Sequence, residues 1–245
     1  PGMDSYDPKN LKQFGFGKYK NVLTNLQFER MMNSSGPFGG HIQRMTDGRE
    51  PIEIAFAQCI GSRDEKAGKP YCSTICCMAA IKAAIIAKEH SPHIRPTIFY
   101  IDIRSVGKEF EDYYLRAKKL GIKFVRSKIA SVSELSNGSL EVKYDSDRGE
   151  ATKEFDMVVL SVGFDVASST KKLAKALDVQ LDEHGFIRGG RFNPMETSKP
   201  GIYACGIITG TKDIPDTVAQ ASGAAAQASS IIALKRGSLV VEKSY

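Results

Sequence analysis

The feature that most constrains this chain is an apolar strand candidate that runs straight into a cysteine, with three more cysteines opening the helix candidate after it. Ile52-Glu53-Ile54-Ala55-Phe56-Ala57 reads as a buried strand ending at Gln58-Cys59. A polar loop over residues 60–71 leads to Cys72, Cys76 and Cys77, at the head of a helix expected from about Ser73 to Glu89. Thr97 to Ile103 is the next strand, almost continuously apolar as a central parallel strand should be. A helix from Phe110 to Leu120 and a strand from Ile122 to Val125 complete a doubly wound α/β unit.

An antiparallel section follows, with strands at Ile129–Glu134, Leu140–Tyr144 and Ala151–Phe155. Asn137-Gly138 supplies the first turn, a strong hairpin signal. Met157 to Gly163 returns as an apolar strand, and helices are expected near Ser169–Leu177 and from Asp216 to Lys235, ending at Gly237. The fold class expected is therefore α/β, a degenerate Rossmann-like lobe with an antiparallel β section.

Composition narrows the partners. At 245 residues, 42% apolar and 25% charged, the chain can bury a substantial core. The net charge of +6 (34 − 28) comes from scattered Lys and Arg, so no nucleic-acid partner is expected. No uncharged apolar run reaches the roughly 18 residues of a membrane span. Cysteines clustered in one short segment suit a metal or redox site in the cytoplasm better than a disulfide framework. The opening residues, Pro1-Gly2-Met3, read as those of a piece internal to a longer protein.

The cysteine spacing is Cys59-x12-Cys72-x3-Cys76-Cys77. Cys59 ends a parallel strand, where open α/β sheets bind ligands, and the others sit where a helix N-terminus stabilises thiolates. Four thiolates suit an iron–sulfur cluster or a tetrahedral zinc. Vicinal Cys76 and Cys77 diverge, which a cubane tolerates better than one zinc ion does. A zinc-stabilised binding or assembly module stays open as an alternative, as do redox-active or buried thiols. Cys205 stands apart and reads as a small buried hydrophobe. The turn at Cys59-Ile60-Gly61-Ser62 occupies the place where G-x-G-x-x-G would cradle a dinucleotide.

Three runs, Gln58 to Glu65, Tyr71 to Ala79 and Ile98 to Arg104, closely resemble the A subunit of heterodisulfide reductase and its quinone-interacting oxidoreductase relatives. Lys212-Asp213-Ile214-Pro215 and Val218-Ala219-Gln220-Ala221 extend the resemblance toward the C-terminus. It implies a thioredoxin-reductase-like core, a [4Fe–4S] cluster on Cys59, Cys72, Cys76 and Cys77, and FAD in the full-length protein. It also implies electron relay between FAD and other clusters, with other subunits of a heterodisulfide-reductase-like complex as partners. Residues 50–165 then correspond to an NAD-domain-like lobe carrying the cysteines, and residues 1–49 and 166–245 to parts of an FAD lobe. Gly206, Lys212, Asp213, Ile214, Val218, Ala219 and Gln220 are the candidate flavin contacts, with Lys82 between cluster and flavin. The chain departs from flavoprotein patterns in two respects: Ile207 replaces the Asp of an A-x-G-D-like motif, and G-x-G-x-x-G is absent. This chain alone is therefore expected to bind FAD weakly or not at all, and to be inactive by itself.

Overall fold

The computed structural model describes residues 2–65 and 67–233. The strands are β1 (Met3–Ser5), β2 (Val22–Thr24), β3 (Glu53–Ile60), β4 (Arg95–Phe99), β5 (Lys123–Val125), β6 (Ile129–Glu134), β7 (Leu140–Ser146), β8 (Gly149–Phe155), β9 (Met157–Val162) and β10 (Phe164–Val166). The α-helices are α1 (Asn25–Met32), α2 (Cys76–His90), α3 (Phe110–Lys119), α4 (Ser168–Leu177) and α5 (Ile214–Ala233). Contacts divide the chain into a larger unit, Ser5–Gly163, and a smaller one made of residues 2–4 and 164–233.

In the larger unit five parallel strands run in the order β2-β9-β3-β4-β5. Both faces are covered, so β3 and β9 are apolar along almost their whole length rather than alternating. One face packs on α1, α2 and α3: Phe28 meets Phe56 edge to face at 5.5 Å, and Ile54, Met157, Ile81 and Ile85 fill the core around them. The other face packs on the antiparallel meander β6-β7-β8, where Phe99 meets Phe155 at 5.8 Å and Leu140, Val142 and Val158 are buried. The expected α/β architecture with its antiparallel section is the one observed.

Asp156 pins the N-terminal end of this sheet. One carboxylate oxygen accepts the N–H groups of Ile52 and Glu53 at 2.8 and 2.9 Å, and the other accepts Arg44 Nη1 at 3.1 Å. Arg44 is itself buried and also donates to Asn137 O in the hairpin turn.

Two boundaries differ from those expected. Residues 5–49 belong by their contacts to the larger unit rather than with the C-terminal segment: β2 pairs with β9, and α1 lies on the same sheet face as α2. A three-residue strand between loops, residues 22–24, carries too little periodic signal to announce itself. α2 begins at Cys76 rather than near Ser73, because Thr74 takes a left-handed φ of 69° that no helix continues. The expected end of the last helix at Lys235 and Gly237 lies outside the described residues.

In the smaller unit β1 pairs with β10. A minor core of Val179, Ile187 and Ala204 lies near a 3-10 turn at Gly206–Thr209. No helix among the described residues is long and apolar enough to cross a membrane.

Candidate metal centre and its supporting residues

The cysteine segment leaves β3 at its C-terminal end and returns to the head of α2. The register between β3 and β9 shifts between Ala57 and Ile60, and in that bulge Cys59 takes φ 62°. Arg63 at 52° and Thr74 at 69° add two more left-handed non-glycine residues before the helix starts. Such conformations cost on the order of 1–3 kcal/mol each and collect at functional sites. The loop is held by backbone bonds from Arg63 N to Tyr71 O (2.9 Å) and between Asp64 and Lys69 in both directions (2.8 and 2.9 Å). Gly61, at φ 67°, lies flat against the Tyr6 ring, where a Cβ would come within 2.2 Å of ring carbon.

This path brings the four cysteines together. Cys59, Cys76 and Cys77 are buried and Cys72 half-buried, and none of the four is in a disulfide. The Cys76 sulfur lies between its two neighbours. Hydrogen bonds first from the Cys59 thiol and then from Cys77 hold Cys76 well below the ordinary thiol range, against the opposing effect of burial. The same bonds, reinforced by burial, push Cys59 and Cys77 up. Cys72 is near enough for its charge to bear on Cys59, and its Sγ accepts the Thr74 N–H at 3.3 Å. Cys77 Sγ donates to Asp102 O at 3.8 Å, in the loop just beyond β4. The first turn of α2, which opens at Cys76 and Cys77 themselves, has no side-chain cap at its positive dipole end.

Among the described residues no group of three His, Cys, Asp or Glu side chains is placed to hold a metal ion as the side chains stand. Binding would require the thiols to give up their protons, including those that Cys59 and Cys77 direct at Cys76. The donor set and its surroundings nevertheless fit a cluster. Gln58 is buried with both amide atoms unpartnered, and the buried hydroxyls of Ser62 and Ser161 have no hydrogen bond either. Ser73 Oγ favours the Cys76 thiolate without a hydrogen bond of regular geometry. Orphaned buried polar groups cost about 1–3 kcal/mol each, and a cluster sulfide near Ser73 could accept a hydrogen bond from its hydroxyl. Gln58 and Ser161 interrupt two otherwise apolar strands, and that interruption is the signal in the sequence that could have marked them.

The other candidates fall in two places. Lys82, on α2, pairs with Glu29 of α1 at 2.7 Å, both half exposed. In the smaller unit Lys212 Nζ donates to Gly206 O (2.8 Å), Thr209 Oγ1 (3.0 Å) and Gly210 O (2.6 Å), and burial lowers its pKa. Gly206 N–H donates to Gln220 Oε1 at 3.0 Å, and Asp213 caps α5 by accepting Asp216 N–H. These four residues are brought together, whereas Ile214, Val218 and Ala219 lie on the exposed face of α5. Cys205 is half-buried before the 3-10 turn.

A parallel βαβ sheet with an antiparallel meander on one face, and a turn bearing four cysteines at the strand ends, defines a class. Residues 74–228 match the pyridine nucleotide-disulphide oxidoreductase family, and the chain belongs to it. Thioredoxin reductase from T. acidophilum has the same fold, with a TM-score of 0.57 at 19% identity over 94% of this chain and 63% of that one. The Lactococcus lactis enzyme gives 0.56 at 18% identity, over 95% and 64%.

Sequence similarity is more particular. The chain is 42% identical over 246 residues to the A subunit of the H2:CoB-CoM heterodisulfide,ferredoxin reductase of Methanothermobacter thermautotrophicus, and that match covers 98% of this chain. It is 44% identical to the iron-sulfur A subunit of the CoB–CoM heterodisulfide reductase of Methanocaldococcus jannaschii, over the same share. The chain spans 37% of the length of both.

Proposed function

We propose that this chain is an electron-relay portion of a heterodisulfide-reductase-like oxidoreductase, with a [4Fe–4S] cluster on Cys59, Cys72, Cys76 and Cys77. The observation that supports the reading is the mutual approach of these four thiols between the C-terminal end of β3 and the head of α2. When bound, the cluster supplies one-electron chemistry. The chain's own part is to hold the thiolates in a buried pocket, to direct polar groups at the sulfurs and to keep water away. The relay works in the cytoplasm, beside other subunits of such a complex.

The longer protein would bind FAD, with Gly206, Lys212, Asp213, Ile214, Val218, Ala219 and Gln220 near the flavin and Lys82 on the helix leading from the cysteines. The pyrophosphate loop would come from chain beyond this sequence, so the 245-residue chain alone binds flavin weakly or not at all.

The test is anaerobic reconstitution of the chain with iron and sulfide. A brown protein whose visible absorption is bleached by dithionite supports the proposal. A colourless protein that takes up one zinc ion instead supports the zinc-stabilised module and overturns the relay. A stoichiometric yellow flavin spectrum from the purified chain overturns the flavin part.

A further inference from the structure

Arg63 is a cation anchored inside the cysteine segment. Its N–H is bonded to Tyr71 O, next to Cys72, and it lies four residues after Cys59. Its guanidinium, half-buried, donates to Asp102 Oδ1 at 2.5 Å, and the Asp102 side chain is itself half exposed. Asp102 in turn accepts the Cys77 Sγ–H on its backbone carbonyl. One residue thus connects the neighbourhoods of Cys59, Cys72 and Cys77, and it does so with a positive charge on a strained φ of 52°. Arg104 also reaches Asp102 Oδ1, at 3.4 Å, but its side chain is half exposed.

The chemistry of the site asks for such a charge. Four thiolates around an iron–sulfur core carry net negative charge, and one further electron adds to it without a proton. A fixed cation beside the sulfurs favours the reduced form, and an uncompensated carboxylate favours the oxidised one. Arg63 and Asp102 form a neutral pair at this position, so removing either member changes the local charge by one unit, and removing both leaves it unchanged.

We infer that Arg63, oriented by Asp102, is a positioning residue that sets the reduction potential of the cysteine site. The inference rests on the cluster assignment above. Its readout is the midpoint potential of the reconstituted 245-residue chain, followed by optical titration with iron content measured in every sample. Arg63→Met is expected to lower the potential by at least a tenfold shift in the reduction equilibrium, about 59 mV for a one-electron couple. Arg63→Met/Asp102→Asn is expected to return it to within half that shift of the wild type. Arg63→Lys should lie between Arg63→Met and wild type, and Arg104→Met should move it less because solvent screens that charge.

If Arg63→Met keeps its iron and its potential is unmoved, the inference is overturned. Loss of iron in both Arg63→Met and Arg63→Lys would assign the pair a purely structural role and overturn it as well. Fewer than about three irons in the wild-type chain itself would overturn the cluster assignment first.

Discussion

Gly163 closes β9 against the cysteine loop, and its replacement tests whether that loop has room to spare. Its N–H donates to Ile60 O at 2.8 Å, and its carbonyl accepts Tyr6 N–H at 2.9 Å. A Cβ built there would lie 2.9 Å from Gly61 O and 2.9 Å from Ser62 Cβ. The first of these is backbone, so the loop itself would have to move, and Cys59 lies two residues away in a left-handed conformation. Gly163→Ala carries no φ penalty, and stiffening the unfolded chain favours the variant by about 0.4–1 kcal/mol. Forcing extra volume into a packed site costs about 1–3 kcal/mol. The net expectation is destabilisation by about 1–2 kcal/mol, or about 2–8 °C in Tm for a unit of this size. Iron retained after reconstitution should fall in parallel. Thermal unfolding by circular dichroism and iron analysis of the same samples measure both. A variant with unchanged Tm and full iron content would refute the claim that the strand end and the cysteine loop are packed to contact.

Three other outcomes follow from the same contacts. Asp156→Asn leaves the buried Arg44 without its closest counter-charge, and unfolding in guanidinium chloride is expected to show a loss of about 2–4 kcal/mol with the m-value unchanged. Lys212→Met removes three hydrogen bonds at the 3-10 turn, so amide exchange over residues 206–220 should accelerate while the larger unit keeps its protection. In the metal-free protein Cys59 and Cys77 stay protonated beside Cys76, whereas free thiols ionise near about pH 8.5. Their raised values contribute stability that is present below that pH and lost as pH rises above it. Stability should therefore decline on the alkaline side, and in Cys76→Ser the two thiols should ionise at lower pH than in the wild type.

How much of this was legible beforehand depends on where the information lies along the chain. The βαβ core was readable because β3, β4 and β9 are buried on both faces, which forces unbroken apolar runs, and because the Asn137-Gly138 turn allows few alternatives. The four cysteines announced themselves by spacing alone. β2 did not, since a strand of three residues gains its stability from pairing with β9 rather than from its own pattern. The start of α2 was misplaced because the left-handed turn at Thr74 depends on the loop around it, a tertiary effect that helix propensity does not encode. Arg63 and Asp102 lie 39 residues apart, and their pairing exists only once β3 and β4 are side by side. The Lys82–Glu29 ion pair was not legible either, because its partner lies 53 residues away on α1.

The central claim is that Cys59, Cys72, Cys76 and Cys77 hold a single iron–sulfur cluster. Iron and acid-labile sulfide analysis of the anaerobically reconstituted chain, with EPR of the dithionite-reduced protein, tests it most directly. About four irons and four sulfides per chain are predicted, with a paramagnetic reduced signal that is lost in Cys59→Ser and Cys76→Ser. A reduced protein that is EPR-silent and carries less than about three irons per chain would contradict it.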